Sequence, residues 1–204
     1  MGRIKQYQRS ELLDRAVELF RRQGFNGTST AELVAELGVN RKTMYAEFGS
    51  KQGLFEAALE RYDHKHLSRV LAPLEAPDAS VEAIRQAFTS YASAGEGWFR
   101  GRGCLMCNTA VERGALDPAS GRYTAAYLER ITGGFRHALG NASRSGEITR
   151  TADLDELAAF LTTMLIGIAA CIRAEAPPEQ LRAAAGVATS VLEGYRPGGG
   201  GEPS

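Results

Sequence analysis

The chain has 204 residues, 44% of them hydrophobic, and its 24 Lys+Arg balance its 24 Asp+Glu. This is enough apolar matter for a sizeable core in one or two domains, and the balanced charge excludes a strongly basic protein that coats nucleic acid regardless of sequence. Three cysteines without an N-terminal apolar run argue against a disulfide scaffold or signal peptide, so a cytoplasmic chain is expected.

Taken in chain order, the sequence predicts an all-α protein. A first helix over 10–23 carries Leu13, Ala16, Val17 and Phe20 on one face. Ser29 stands three residues before Glu32, the spacing of a capping box, and starts a second helix with Leu33, Val34 and Leu37 on one side. Gly38 follows at once, where a helix closes in the left-handed conformation that glycine adopts at little cost. Val39 can plug the corner, and Asn40 can cap a third helix over 41–48 that stops at Gly49. Met44 and Phe48 face inward there, which leaves Arg41, Lys42, Thr43 and Tyr45 pointing outward. So short a helix hardly stands alone; its neighbours must hold it to present its outer face. Two short helices around a tight turn, the second basic on its outside, form the pattern of a helix-turn-helix, whose second helix enters the DNA major groove.

Ser50 caps a fourth helix that reaches about residue 70 and buries Leu54, Phe55, Ala58, Leu59 and Tyr62. The Pro-containing stretch 73–77 marks a boundary, and further helices are predicted over 81–94, 104–113, 121–143, 153–174 and 179–194. The expected division is 1–50 as a DNA-binding domain, 51–72 as a connecting helix, and 73–196 as a ligand-binding and dimerisation domain. The tail, 197–204, is expected to be disordered from its Pro/Gly composition. The longest apolar stretch, 160–172, is broken by Thr162, Thr163 and Gly167 and falls short of the ~20 residues of a membrane span, so no membrane is expected. Up to His66, eleven basic residues stand against nine acidic ones. Arg41, Lys42 and Lys51 gather around the third helix, and Arg3 and Lys5 lie on an N-terminal arm. Few phosphate contacts are therefore available, and binding should be specific and weak on random DNA.

Gly24-Phe25, Thr28-Ser29-Thr30, Leu37-Gly38-Val39, Thr43-Met44-Tyr45, Phe48, Ser50-Lys51 and Leu54-Phe55 together carry a resemblance to a known family. This first quarter of the chain resembles the DNA-binding domain of the tetracycline-repressor (TetR) family of bacterial one-component regulators. It departs from the family at Ala46 and Glu47, where members often carry an aromatic residue and a histidine; Glu47 brings a negative charge close to the DNA. The resemblance implies a double-stranded, palindromic DNA operator, a small-molecule effector bound in the second domain, and a homodimer formed through the last two helices. It assigns Thr28 and Thr30 to phosphates at the start of helix 2, and Arg41 and Lys42 to base edges. Thr43 would touch a thymine methyl, and Tyr45 and Lys51 would hold phosphates. The last two helices are rich in small residues, among them Gly167, Ala170, Ala183 and Gly186, which let helices approach closely. The same residues would also complete the core of a monomer.

The segment GRGCLMCNTAVERGALDPASG, from Gly101, resembles a Gly-Cys-Leu…Asn…Glu pattern at helix 6 of one branch of the family. Its spacing places Cys104 and Cys107 on one helical face, and three readings stand. They are small buried apolar residues; or a thiol sensor helped by Arg100, Arg102 and the helix N-terminus; or a dithiol oxidoreductase, which the absence of a preceding strand disfavours. A pocket for an apolar or aromatic ligand with one polar handle would draw on Phe88, Tyr91, Trp98, Tyr127, Phe160 and Met164, with Cys104, Cys107 and Asn108; singly, each suits a core equally well. His64 and His66 diverge on a helix, and no phosphate loop, nucleophile elbow or zinc-ligand spacing occurs. Neither metal, cofactor nor enzymatic activity is expected. The alternative to a regulator is a helical ligand-binding or interaction protein that kept the scaffold and no longer binds DNA.

Overall fold

The computed structural model describes residues 8–97, 99–114 and 116–197. The expectations for Arg3, Lys5, Trp98 and residues 198–204 lie outside the described residues. Regular structure among the described residues is helical throughout. In order it comprises α1 (Arg9–Gln23), α2 (Thr30–Leu37), α3 (Arg41–Phe48), α4 (Lys51–Tyr62), α5 (Ser68–Glu75), α6 (Val81–Ala94), α7 (Leu105–Arg113), α8 (Pro118–Ser145), α9 (Leu154–Arg173) and α10 (Pro178–Ser190). A π-helical turn, Asp63–Leu67, lies between α4 and α5, and a 3₁₀ turn, Val191–Tyr195, follows α10.

The chain divides into two compact units. One comprises Met1–Leu67 with Leu105–Thr124; the other comprises Ser68–Cys104 with Ala125–Ser204. The division differs from the sequence-based one in two places. The helix expected over 51–72 is interrupted by the π turn, and the boundary falls at the end of that turn; Pro73 lies inside α5. The segment 105–124, expected within the second domain, returns to the first unit. Polar side chains hold it there: Arg113 donates to Gln52 at 3.0 Å, Gln52 donates to Asp117 at 3.1 Å, and the Tyr123 hydroxyl donates to Glu60 at 2.7 Å. Burial, and next the Glu60 carboxylate, push the Tyr123 phenol up to about 12.

In the first unit, α1 packs on α4 through Leu13, Ala16, Val17 and Phe20 against Leu54, Phe55, Ala58 and Leu59. Phe20 meets Phe55 edge-on at 4.8 Å, and Phe25 meets it at 5.0 Å, geometries that the ring quadrupole favours. Arg21 is fully buried, its guanidinium 5.7 Å from the Tyr62 ring centroid. Asp14 on α1 receives Arg61 at 2.9 Å and Lys65 of the π turn at 2.9 Å. The hydrogen bond from Arg61, despite the opposing effect of burial, holds the Asp14 carboxyl below the usual aspartate range. A depressed folded-state pKa gives stability that is present above the unfolded value and lost as pH falls through the folded one. Asp14→Asn is therefore expected to lower stability near pH 7 by about 1 kcal/mol, with the deficit vanishing in acid. Thermal melts of both proteins from pH 7 downward check this; a deficit that does not shrink as pH falls below the usual aspartate range would contradict it.

In the second unit, α6, α8, α9 and α10 contribute Ile84, Phe88, Phe135, Leu161, Leu165 and Leu181 to the core, with Phe88 stacked on Phe135 at 5.8 Å. Asp153 caps α9 by accepting from the N–H groups of Asp155 and Glu156, and Pro178 opens α10 where its missing N–H costs nothing. His137 and Asn141 of α8 bond the carbonyls of Ala76, Pro77 and Ala79, which ties down the turn before α6. α9 has the length and apolarity of a membrane-crossing helix, yet one face packs on α6 and α10. Its other face, Ala159, Phe160, Thr163, Gly167 and Ala170, is exposed in the protomer, as are Gly186, Val187 and Val191 beyond it on α10 and the turn. A Cβ added at Gly167 or Gly186 would meet nothing within 4 Å.

Candidate nucleic-acid interface

Local chemistry builds the two short helices. The Ser29 hydroxyl accepts from Glu32 N–H at 3.2 Å, and the Glu32 carboxylate accepts from Ser29 N–H at 2.8 Å, a complete capping box at the start of α2. Those bonds from Ser29 hold the Glu32 carboxyl below the usual glutamate range. Gly38 closes α2 at φ +67°, in the left-handed region. Asn40 then caps α3 through Thr43 N–H at 2.8 Å, and Ser50 caps α4 through Gly53 N–H at 2.9 Å. Leu33, Leu37, Met44 and Phe48 are buried as the pattern requires; Val34 and Val39 are half-buried.

α1 acts as the brace. Arg15 donates to the Leu37 carbonyl at 3.3 Å, satisfying an acceptor that the end of α2 would leave open. Arg22 pairs with Glu36 at 2.9 Å, and Gln23 donates to Glu32 at 3.3 Å. Glu47, the acid expected to oppose DNA, pairs with Arg9 at 3.4 Å, and its side chain is only 14% exposed. The three acids of the two short helices are thus each engaged within the unit, which lessens their repulsion of a phosphate backbone.

The outward face keeps its cations and hydroxyls. Arg41 and Lys42 are exposed at the first turn of α3, and Thr43 is half-exposed beside them. The Arg41 guanidinium lies 5.5 Å from the Tyr45 ring centroid, and the Tyr45 hydroxyl shares a 3.4 Å hydrogen bond with the Thr30 hydroxyl. The bond from Thr30, then Arg41, lowers the Tyr45 phenol below its ordinary value. Thr30, Arg41 and Tyr45 therefore form one group across the two helices, a link that sequence spacing does not show.

Two sequence-assigned positions are less exposed than Arg41 and Lys42. Thr28 is only 1% exposed, and its hydroxyl donates to the Gly24 carbonyl at 2.6 Å. It braces the turn and is turned away from any phosphate, because a threonine four residues past a helix end can satisfy that end's carbonyl. Lys51 is half-buried, with its ammonium 4.2 Å from the Phe25 ring centroid. Burial first, and then Arg113, lower its pKa.

The residues expected to line a ligand pocket are dispersed. Phe88 and Tyr91 are buried in the second unit, where Tyr91 lies 6.0 Å from Phe99. Also in that unit, the buried Cys104 thiol points to the Tyr127 hydroxyl at 3.6 Å. Cys107 is buried and Asn108 half-buried on α7 of the first unit. Met164 is half-buried, but Phe160 is 38% exposed and belongs to the outward face of α9, so it departs from the expected lining. Helical periodicity alone does not separate an inward stripe from a second apolar stripe on the opposite side.

The matches to known proteins cover most of the chain. Residues 12–58 match the bacterial regulatory proteins, tetR family, and residues 79–187 match the tetracyclin repressor-like C-terminal domain. The HTH-type transcriptional repressor ComR of Escherichia coli (strain K12) is 34% identical over 91% of this chain and 89% of its own length. The uncharacterized HTH-type transcriptional regulator YezE of Bacillus subtilis (strain 168) is 31% identical over 95% of this chain and 100% of its own. Among solved structures, a cysteine mutant of the TetR family transcriptional regulator CifR, in complex with 26-bp double-strand operator DNA, superposes with a TM-score of 0.83 at 27% identity, covering 92% of this chain and 98% of that one. With capped helices, braced turn and cationic outer face in the places that these matches span, the chain belongs to the tetR family of helix-turn-helix bacterial regulatory proteins.

Proposed function

We propose that this protein is a cytoplasmic transcriptional repressor that binds a palindromic operator as a homodimer and is released by a small molecule. The observation that carries the reading is the outward group of α2 and α3: exposed Arg41 and Lys42 at a helix N-terminus, with Tyr45 held by Thr30 beside them. Arg41 and Lys42 supply donors for guanine O6 and N7, Thr43 a methyl for thymine, and Thr30, Tyr45 and Lys51 groups for phosphate. For a partner copy, the exposed stripe of Phe160, Gly167, Val187 and Val191 supplies apolar area and room for close approach. A two-fold axis there pairs two α3 helices, so the operator repeats in half-sites. The similarity to ComR, a repressor, supports the direction of control.

For release, the reading is a ligand taken up among the aromatic side chains of the second unit, Phe88, Tyr91 and Tyr127, which shifts the population of α3 spacings away from the operator. A second reading, release by modification of Cys104 and Cys107, draws on their place at the start of α7; their burial, however, limits reagent access. Fluorescence anisotropy with the DNA immediately upstream of the gene tests the whole reading. Tight binding that weakens steeply with salt and exceeds that of scrambled DNA is expected. Equal binding of both would contradict it.

A further inference from the structure

The last two residues of α7 make contacts that DNA reading does not explain. The Glu112 carboxylate accepts from the backbone N–H of Phe25 at 2.9 Å and of Asn26 at 2.6 Å. Gly24, at φ +74°, fits closely beneath it: a Cβ there would come within 2.6 Å of Glu112 Oε2. The next residue, Arg113, lies with its guanidinium 3.7 Å from the Phe25 ring centroid and pairs with Asp117 at 3.2 Å. The same turn receives the Thr28 hydroxyl on its Gly24 carbonyl and the Thr28 N–H on its Phe25 carbonyl. Each polar group of the chain reversal between α1 and α2 named here is therefore satisfied, and two of its N–H groups depend on a single carboxylate more than eighty residues away in sequence.

This reversal decides where α2 begins. Ser29 caps α2 directly after it, and Thr30, the first residue of α2, holds the Tyr45 hydroxyl of α3. We propose that Glu112 is a positioning residue for operator recognition. By clamping Phe25 and Asn26 it fixes the entry of α2 and, through Thr30 and Tyr45, the face that α3 presents. The helix that carries Glu112 starts at Leu105, directly after Cys104, so the geometry of the reading head answers to a segment outside the helix-turn-helix. The inference rests on the DNA-binding reading above.

The test compares full-length protein with Glu112→Ala and Glu112→Gln, using as probes a duplex that the unsubstituted protein enriches from a randomised pool and a scrambled duplex of equal length. Glu112→Ala is expected to weaken the enriched duplex by about 10-fold or more and to leave the scrambled duplex unchanged, since phosphate-driven binding tolerates small changes of helix position. In hydrogen exchange, the Phe25 and Asn26 amides should become faster while those of Leu33 and Met44 hold. Glu112→Gln keeps one acceptor oxygen where the carboxylate offers two, one each to the Phe25 and Asn26 N–H groups, and should recover only part of the affinity. Unchanged affinity for the enriched duplex in Glu112→Ala, equal losses on both duplexes, or unchanged exchange at Phe25 and Asn26 would each overturn the proposal. If the unsubstituted protein enriches no duplex, the DNA-binding reading fails first, and that failure is visible before any variant is made.

Discussion

Val187→Glu is expected to leave a folded monomer that binds a palindromic duplex about 100-fold or more weakly than the unsubstituted protein. Val187 is 66% exposed on α10, so the change should shift protomer stability by no more than about 0.5 kcal/mol. The effect instead falls on association. In a two-fold interface the same patch occurs on both subunits, so one substitution would place two carboxylates in the apolar patch where Phe160 and Val191 are also exposed. Losing the partner removes the second half-site contact, which had been nearly intramolecular, and the affinity falls by the effective concentration it supplied. Sedimentation equilibrium together with anisotropy on the palindrome checks both parts. A variant that stays dimeric would place the interface elsewhere than on α9 and α10.

Arg41→Ala is expected to weaken the palindrome by about 10- to 100-fold and to relax preference at one base pair of each half-site, while scrambled DNA is bound nearly as before. Arg41 is exposed at the first turn of α3, where its guanidinium overlies and bonds the Tyr45 side chain on the outer face of the helix. Its loss therefore reads as recognition and not as stability. It should also let the Tyr45 phenol move back up, because Arg41 is the second cause of its lowering after Thr30. Ultraviolet titration of the free protein follows the phenol, and competition with single-base variants of the palindrome follows the specificity. Equal affinity for every base at each position in both proteins would remove Arg41 from the reading face.

Much of the first unit was legible because its start and stop signals are local. Ser29, Gly38, Asn40, Gly49 and Ser50 act within three or four residues of themselves, and each occupies the cap its residue type suggests. From α6 onward the helices were legible by periodicity, and α6 runs over 81–94 as predicted; α5, with Pro73 inside it, was not. What escaped depends on partners distant in sequence. Thr28 has the chemistry to touch a phosphate and instead satisfies Gly24; Arg21 has the chemistry of a solvated residue and is buried against Tyr62. The return of α7 to the first unit depends on Glu112 and Arg113 finding Phe25, Asn26 and Gln52, contacts that leave no periodic mark. The Gly-Cys-Leu…Asn…Glu pattern is the one sequence signal for it, and the structural role falls to the glutamate at its end, Glu112. Glu47 is the reverse case: its charge is adverse to DNA in the sequence alone, and Arg9 pairs with it in the fold.

The most direct measurement is selection of duplexes from a randomised pool by the dimeric protein, with the bound fraction sequenced. A symmetric sequence should emerge, its half-sites spaced by about one helical turn or more, and Arg41→Ala should blur one position in each half. A folded, dimeric protein that enriches nothing over the starting pool would contradict operator recognition and leave the helical scaffold with another partner.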